Sequence, residues 1–441
     1  MSSIETLIDN SRVSRVQVFV VVVCFLLNVL DGFDVAAIAY VGPVIIDSWN
    51  VSPGSLGIAF STGLVGTALG AMFVAPWADR AGRRTLILVS LVVIGVSMAA
   101  TGFVRNVSDL AIIRGVNGIG VGSLLAAITA LGTEVVPARH RNLVVSIISS
   151  GFLVGAAAGG VVASQVIAAY GWQAVFFLGA FFAALMFVLV WWQLPESPAF
   201  LVLQRASDGL QRVNRVLRKL KLQPLSEMPV PDRNTGSEVG VRALFEPGFR
   251  LATCCIWAAF CLTFLTLYFV QSWLPKILVD IGFSVSYAAY GGVALNLGGL
   301  LGILILGCFS ARVGVGRMVR SSLAAAATIM IMMRLLPEGE IVMLLAISVL
   351  GLFTMNGFIG LYVVVAQLYP TRLRATGIGW AIGAGRFGSV VSPLLGGYII
   401  GVGWRMEDSF ALFAVPLFAA AIAIFFLYGR GSVKPAVATQ N

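Results

Sequence analysis

Long apolar runs separated by short polar segments dominate the chain. A helix needs roughly 20 predominantly apolar residues to cross the hydrocarbon core of a bilayer. About twelve runs reach that length, and they are centred near Val23, Leu64, Val92, Leu124, Val154, Phe182, Phe264, Leu297, Ile329, Ser348, Gly385 and Ala419. The pattern therefore predicts an all-α membrane protein with twelve transmembrane helices.

The composition agrees with this prediction and excludes several other classes of protein. Of the 441 residues, 59% are hydrophobic and 11% are charged, whereas soluble globular chains carry about 25% charged residues. A soluble enzyme, a disordered regulator and a secreted disulfide scaffold are therefore excluded. The five cysteines lie in apolar stretches without CxxC spacing or a paired histidine. We accordingly expect no zinc site, no disulfide framework and no cofactor.

The net charge of +10 indicates membrane topology and not a nucleic-acid partner, because the basic residues form short clusters between the apolar runs. Cytoplasmic loops of membrane proteins carry an excess of Lys and Arg. With both termini in the cytoplasm, 23 of the 29 Lys and Arg residues are cytoplasmic. The other six are Arg105, Lys276, Arg334 and Arg405 in outer loops and Arg114 and Arg386 within spans. We expect a multi-pass protein of the cell inner (cytoplasmic) membrane that functions as a monomer.

The longest polar interval divides the chain into six spans plus six. Leu210, Val213 and Leu217 fall on one side of its first part, which predicts a short amphipathic helix on the cytoplasmic membrane surface. A basic linker that serves only topology is the alternative. The three predicted regions are an N-terminal six-helix bundle at 1–194, a cytoplasmic linker at 195–249 and a C-terminal six-helix bundle at 250–441.

Two loop segments recur in the second half of the chain. Residues 75–84 (APWADRAGRR) match residues 307–317 (GCFSARVGVGR), and residues 134–141 (EVVPARHR) match residues 367–374 (QLYPTRLR). The offsets are 232 and 233 residues, and chance similarity between Gly-rich or Ala-rich helices does not reproduce both loops at one offset. The repeat predicts two six-helix bundles related by a pseudo-twofold axis, with a binding site near the bilayer midplane.

The duplicated loop resembles the G-x-L-x-D-R-x-G-R-R signature of the major facilitator superfamily, from which it departs at Ala75 and Trp77. Within that superfamily the chain is most similar to the aromatic acid:proton symporters. They carry D-G-F/Y-D in helix 1 and a later Y-P-T-x-x-R-A-T-G-x-G-W-A-x-G-x-G-R segment, which match residues 31–34 and 369–386 here. The resemblance implies a major facilitator fold and import of an aromatic carboxylate, of the 4-hydroxybenzoate, protocatechuate or gallate type, by proton symport.

Four ionisable residues lie inside the predicted spans: Asp31, Asp34, Arg114 and Arg386. Each costs roughly 2.5–3.5 kcal/mol at the centre of a membrane helix on insertion scales, so a functional or paired role is the default. Asp31 and Asp34 are spaced i,i+3 and share one helix face. Two carboxylates close together in a desolvated site favour retention of a proton, which predicts a proton-coupling pair. The alternative is an aspartate that pairs with an arginine and locks the bundle.

The two arginines present planar guanidinium groups suited to a carboxylate. Either one could bind an anionic substrate or serve as counter-ion to an aspartate, and both roles stay open for each. The family resemblance implies a functional role for Arg386. Aromatic and polar residues of the inner spans could contact a planar ring and its substituents. The candidates for substrate binding are Arg386, Arg114, Phe33, Gln271, Trp273 and Tyr362.

A second group of candidates lies at the predicted cytoplasmic ends of the helices. Arginines there satisfy the positive-inside rule without any further function, but that rule does not explain Asp79. By resemblance to the superfamily, we expect Asp79 to form a salt bridge to a cytoplasmic helix end that holds one closed state. We expect Glu134 to join this network with Arg139 and Arg141. The gating candidates are Asp79, Arg80, Gly82, Arg83, Arg84, Glu134, Arg141 and Arg374.

Together these features predict a secondary active transporter that imports a small carboxylate, of the aromatic class, by proton symport with alternating access. A major facilitator transporter of another organic anion or metabolite and a proton-coupled exporter are the alternatives. Export is disfavoured, because similar antiporters carry Gly-Pro-x-x-Gly-Gly in helix 5 and residues 155–160 contain no proline. An enzyme is not expected from a chain with one histidine and no HExxH, GxSxG or P-loop motif. The expected partners are the anionic substrate, protons and the lipid bilayer.

Overall fold

The computed structural model describes residues 3–204, 209–220, 222–228, 241–336 and 339–429, and all regular secondary structure within them is helical. The first half contains α1 (Ser3–Asp9), α2 (Arg15–Trp49), α3 (Pro53–Leu69), α4 (Ala78–Ala81), α5 (Arg83–Thr101), α6 (Val107–Glu134), α7 (Ala138–Tyr170) and α8 (Gln173–Gln193). Two shorter helices follow, α9 (Pro198–Gln204) and α10 (Gly209–Lys219). The second half contains α11 (Arg250–Asp280), α12 (Val285–Val313), α13 (Val315–Met332), α14 (Glu340–Leu368), α15 (Thr371–Gly401) and α16 (Met406–Gly429).

Twelve long helical stretches are present in the described part of the chain, as the sequence predicts. One of them is Pro53–Ala81, in which a π-helical turn at Gly70–Val74 and a 3-10 turn at Ala75–Trp77 join α3 to α4. Eleven of the stretches are long and apolar enough to cross a membrane. The twelfth, α15, has 31 residues and is less apolar because it contains Arg386 and several glycines.

Close helix packing repeats in the two halves at the offset seen in the sequence. Gly66 faces the backbone of Gly115 so closely that a side chain there would collide with it. The matched residues of the second half are Gly298, 232 positions after Gly66, and Ser348, 233 positions after Gly115. They make the same contact between α12 and α14. Small residues permit such approach of membrane helices. The internal repeat is therefore present in the packing as well as in the loops.

A buried polar pair repeats in the same way. The hydroxyl groups of Ser90 in α5 and Ser123 in α6 are hydrogen-bonded at 2.9 Å. The matched residues of the second half are Ser322 in α13 and Asn356 in α14, where the serine hydroxyl donates to the amide oxygen at 3.1 Å. Each half thus joins equivalent helices through one buried hydrogen bond.

The described residues form two compact units that do not follow the chain order. The first comprises those within Met1–Ala37, Thr62–Gly159 and Ala169–Thr235, and the second those within Ile38–Ser61, Gly160–Ala168 and Gly236–Asn441. The second unit thus combines α11–α16 with the end of α2, the start of α3 and the end of α7. The domain boundaries at 194 and 249 remain a prediction.

The short helices α1, α9 and α10 form an apolar cluster within the first unit. The predicted amphipathic helix is present as α10, and its apolar side includes Val213 and Leu217, both fully buried. These side chains pack with Ile4 and Ile8 of α1 and Phe200 of α9. The expectation that this side lies on the membrane surface is therefore wrong, because α1 and α9 supply an apolar partner from within the chain.

Candidate functional site

Asp34 and Arg114 form an ion pair in the interior of the first unit. Arg114 Nη1 donates to Asp34 Oδ1 at 2.8 Å, and Nη2 donates to Oδ2 at 3.1 Å. The exposed fraction is 0% for Asp34 and 5% for Arg114. The Asn117 amide also donates to Asp34 Oδ2. A two-point contact of this kind is the strongest that a guanidinium makes with a carboxylate, so Arg114 acts as the counter-ion of Asp34 in this structure.

Asp31 lies one turn before Asp34 on α2 and is 2% exposed. Glycines hold this part of α2 against α7. A side chain at Gly32 would collide with the backbone of Phe152, and one at Gly155 with the backbone of Val29. Because no side chain separates the two helices there, α2 packs directly against α7, and both aspartates are buried within the unit. The structure thus brings together the predicted carboxylate pair and one of the two predicted arginines.

Phe33 is a packing residue of the same unit. Its ring lies next to Gly159 of α7 and Gly179 of α8, and it is 9% exposed. The small residues opposite the ring leave the space that it fills. Phe33 therefore joins α2 to α7 and α8 and presents little surface to a ligand.

Five aromatic side chains of the second unit form a continuous cluster. Phe260, Phe264 and Tyr268 recur every fourth residue on α11, and Phe358 and Tyr362 do so on α14. The rings of Phe264 and Tyr268 are stacked with centroids 5.8 Å apart, whereas Phe264 meets Phe358 edge to face at 5.0 Å. Phe260 meets Tyr362 in the same way at 5.1 Å. Phe260 and Phe264 are buried, and the other three rings are partly exposed.

Arg386 lies on α15 next to this aromatic cluster. A side chain at the preceding Gly385 would approach the Phe264 ring to 2.9 Å, so α15 contacts the cluster closely. The Arg386 guanidinium interacts electrostatically with the Tyr362 hydroxyl. It is half-buried and makes no ion pair with an acidic side chain among the described residues. Within the described part of the chain, Arg386 is therefore a cation beside aromatic rings without a carboxylate partner.

The internal repeat accounts for the different environments of the two arginines. At the positions matched to Asp31 and Asp34 the second half has threonines. One of these, Thr266, donates to the Phe413 carbonyl oxygen at 2.7 Å. Each arginine has an aliphatic residue at its matched position. The matched pairs are Asp31 with Thr263, Asp34 with Thr266, Arg114 with Ile347 and Leu153 with Arg386.

Trp273 and Gln271 lie elsewhere on α11. Trp273 is 0% exposed, its Nε1 donates to the Pro393 carbonyl oxygen at 3.1 Å, and its ring meets Phe60 edge to face at 5.3 Å. The backbone at Gly396 covers a further part of the ring. Trp273 therefore packs α11 against α15 and has no free face for a ligand, whereas Gln271 is half-buried.

A charged network ties the start of α5 to the end of α6. Arg83 donates from Nε and Nη2 to Glu134 Oε1 at 3.2 and 3.0 Å, and from Nη1 to the Ala78 carbonyl oxygen at 3.0 Å. Asp79 lies 2.9 Å from Nη2 of the same arginine. The second oxygen of Glu134 accepts a hydrogen bond from the Ser197 hydroxyl. Three predicted gating residues are thus in direct contact.

Glu196 belongs to this network but was not among the predicted residues. Its Oε1 accepts hydrogen bonds from the backbone N–H of Arg84 at 3.1 Å and of Ser197 at 2.9 Å, so it caps the start of α5. Burial raises the pKa of the Glu196 carboxyl, against the opposing effect of these N–H groups and of Arg83. Gly82 has a φ of +100° and leaves room for Glu196. The sequence feature that could have identified Glu196 is the Leu-Pro-Glu-Ser-Pro segment at residues 194–198.

The other predicted gating residues are placed differently. Arg141 lies 3.6 Å from Asp9, and Arg139 donates to the Asp9 and Ser11 carbonyl oxygens. The expectation that Arg139 and Arg141 join Glu134 is wrong. Both arginines contact the end of α1 and the residues after it, and Glu134 is hydrogen-bonded to Arg83 instead.

Asp79 forms a salt bridge to a helix end, as expected, because Arg83 is the first residue of α5. The Asp79 side chain is 69% exposed, and its role in holding a closed state stays a prediction. Arg80 and Arg374 are exposed and make no ion pair within the described residues. Arg84 donates from Nε to the Val190 carbonyl oxygen at 3.4 Å and contacts the end of α8.

Comparison with known proteins supports the fold and the repeat. The family model for the Major Facilitator Superfamily matches residues 24–352 and 256–440. The chain is 30% identical to the gallate transporter of Pseudomonas putida over 95% of its length and 93% of that protein. It is 32% identical to the 4-hydroxybenzoate transporter PcaK of Acinetobacter baylyi, over 96% and 93% of the two chains.

A solved structure has the same fold at low sequence identity. The inward-facing, occupied structure of a bacterial homolog of the human lysosomal transporter Spinster superposes with a TM-score of 0.73 at 16% identity, covering 96% of this chain and 100% of that chain. The twelve long helices, the packing repeat and the matched family model lead to one conclusion. This chain is a multi-pass membrane protein that belongs to the major facilitator superfamily.

Proposed function

We propose that this protein imports a small aromatic carboxylate together with protons across the cell inner membrane, with both termini in the cytoplasm. The observation that carries the proposal is the contrast between the two membrane arginines. Arg114 is neutralised by Asp34, whereas Arg386 lies on α15 near Tyr362 of the aromatic cluster and has no carboxylate partner among the described residues. The relatives named for gallate and 4-hydroxybenzoate transport support an acid of this class.

The substrate contacts follow from the chemistry of the second unit. Arg386 would bind the carboxylate through its planar guanidinium group. The partly exposed rings of Tyr268, Phe358 and Tyr362 would contact the substrate ring edge to face or with offset stacking. The Tyr362 hydroxyl would remain available to a substituent on that ring. A non-aromatic acid would keep the charge contact and lose the ring contacts.

The proton would bind in the first unit. Asp34 already accepts three hydrogen bonds from Arg114 and Asn117, and each is directed at an oxygen that a proton on Asp34 would need. We therefore assign the coupling proton to Asp31 and the counter-ion role to Asp34. A monoanion that enters with two protons carries one net positive charge inward, which the membrane potential drives by about 2.3 kcal/mol per 100 mV.

The charged network around Arg83 would act in gating. Arg83 joins α4, α5 and α6, and Glu134 extends the contact to Ser197 after α8. Breaking these bonds would free the helix ends to move during alternating access. Uptake should therefore slow when Arg83 or Glu134 is replaced, while substrate affinity stays close to that of the wild type.

Uptake into proteoliposomes tests the proposal. Labelled benzoate, 4-hydroxybenzoate, protocatechuate, gallate and a non-aromatic carboxylate of similar size would be compared with and without an inward proton gradient. We expect at least one aromatic acid to accumulate, and only when the gradient is present. If none accumulates above protein-free vesicles, the substrate class is wrong. If accumulation is the same without a gradient, the symport mechanism is wrong.

A further inference from the structure

Asn117 is a buried amide that neither the substrate contacts nor the proton site described above explains fully. It lies on α6, one turn after Arg114, and is 1% exposed. Its Nδ2 donates to Asp34 Oδ2. Its Oδ1 is buried and has no hydrogen-bond partner among the described residues. A buried amide oxygen without a partner is unfavourable for stability, so stability alone does not account for this residue.

The internal repeat shows that the fold does not require an amide here. The matched residue of the second half is Leu350 of α14, which is 0% exposed. An aliphatic side chain with the same branched shape is therefore accommodated at the equivalent position. What distinguishes the first half is the carboxylate that faces Asn117, because the residue matched to Asp34 is Thr266.

Few charged groups can influence Asp34. Arg114 faces it from α6, and Asp31 lies one turn before it on α2. Residues 53–77, which include α3, and residues 142–193, which include most of α7 and all of α8, contain no Asp, Glu, Lys, Arg or His. Among the described residues, the side chains that hydrogen-bond to the Asp34 carboxylate are Arg114 and the neutral donor Asn117.

We propose that Asn117 is a positioning residue for proton coupling, which holds Asp34 as the acceptor of Arg114 so that the coupling proton is exchanged at Asp31. The inference rests on the proposed symport function. The Asn117 amide and Arg114 Nη2 both donate to Asp34 Oδ2, and the Asn117 Oδ1 has no hydrogen-bond partner among the described residues.

Loss of the Asn117 donor should change the pH dependence of uptake in one direction. With leucine at position 117, Asp34 Oδ2 loses the hydrogen bond from the Asn117 amide, so the carboxylate is held less firmly as the acceptor of Arg114. Protonated Asp34 no longer neutralises Arg114, and transport stops. The acidic limb of the pH profile of uptake should therefore move towards neutral pH, by about one to two pH units for a hydrogen bond to a charged group.

The experiment compares Asn117→Leu, Asn117→Asp and the wild type in proteoliposomes over a range of pH. Asn117→Leu should show the shifted acidic limb with a KM for the substrate within twofold of the wild-type value at the pH optimum. In Asn117→Asp the introduced carboxyl group donates the same hydrogen bond only while protonated. This variant should therefore transport at acidic pH and lose activity as the pH rises. Ser123→Ala, which removes a buried polar group from the same helix, should leave the profile unchanged.

The outcomes separate the two proposals. If the wild type accumulates substrate with the gradient and all variants have its pH profile, the role of Asn117 is wrong while the symport function stands. If Asn117→Leu raises KM without moving the profile, Asn117 contacts substrate and the positioning role is wrong. If the wild type shows no gradient-dependent uptake, both proposals fail. Should Asn117→Leu not fold, the opposite pH dependence of the near-isosteric Asn117→Asp still decides the question.

Discussion

Arg114 holds both carboxylate oxygens of Asp34, at 2.8 and 3.1 Å, although 80 residues separate them in the chain. This pair neutralises two charges that would each be unfavourable in the membrane interior. It also leaves Arg386 as the membrane arginine without an acidic partner in the described part of the chain. The pairing of Arg114 with Asp34 is therefore the reason that we assign the proposed substrate contact to Arg386.

Breaking this pair on one side should destabilise the protein more than replacing both partners. Asp34→Thr leaves a buried guanidinium uncompensated, and Arg114→Ile leaves a buried carboxylate, each at about 3–5 kcal/mol. The double variant reproduces the residues of the second half, Thr266 and Ile347, and should recover much of that loss. Thermal unfolding in detergent measures the effect. Equal, additive losses in a double-mutant cycle would show that the two side chains do not interact.

Replacing Arg386 should affect transport and leave stability nearly unchanged. Arg386→Ala removes the proposed carboxylate contact, and a charge-assisted hydrogen bond of about 1.5–3 kcal/mol corresponds to a rise in KM of about tenfold to a hundredfold. Arg386→Lys should recover part of the affinity, because it restores the charge without the planar fork. Arg334→Ala, at an exposed arginine of the same half, serves as the control. An unchanged KM in Arg386→Ala would exclude the substrate contact.

Tyr362 should discriminate between aromatic and non-aromatic acids. Tyr362→Leu removes a ring contact of about 0.5–1.5 kcal/mol, so competition by benzoate against labelled substrate should weaken by about twofold to tenfold. A non-aromatic carboxylate should compete as it does in the wild type. Tyr362→Phe keeps the ring and tests the hydroxyl separately. If Tyr362→Leu weakens both acids equally, the aromatic cluster acts through packing and not through the substrate ring.

The twelve helices and the repeat could be predicted because they depend on local hydropathy and on residues that recur at a constant offset. The four membrane charges could be found for the same reason, since a charge inside an apolar run stands out. The partner of each charged residue could not be predicted from the sequence. The choice of Arg114 for Asp34 follows from the packing of α2 against α6, which the spacing along the chain does not encode.

For the aromatic candidates, too, the sequence could not distinguish a ring that packs in the protein interior from one that could face a substrate. Trp273 and Tyr362 both lie in apolar helices, and only the packing distinguishes a ring enclosed by Phe60 and Gly396 from one next to Arg386. Phe264 and Phe358 were missed because phenylalanine is ordinary in a membrane helix. They became visible only as members of a cluster formed by two helices that are about 100 residues apart in the chain.

Glu196 should make the stability of the protein depend on pH. Because burial raises its pKa above the ordinary value of 4.5, the folded protein retains the proton that the unfolded chain has already lost. The free energy of unfolding should therefore fall as the pH rises from about 4.5 through the raised pKa, and stay constant above it. Glu196→Gln keeps an oxygen for the N–H groups of Arg84 and Ser197 and has no proton to lose. Its melting temperature should show a weaker fall over the same range, and a fall as steep as in the wild type would place the titrating group elsewhere.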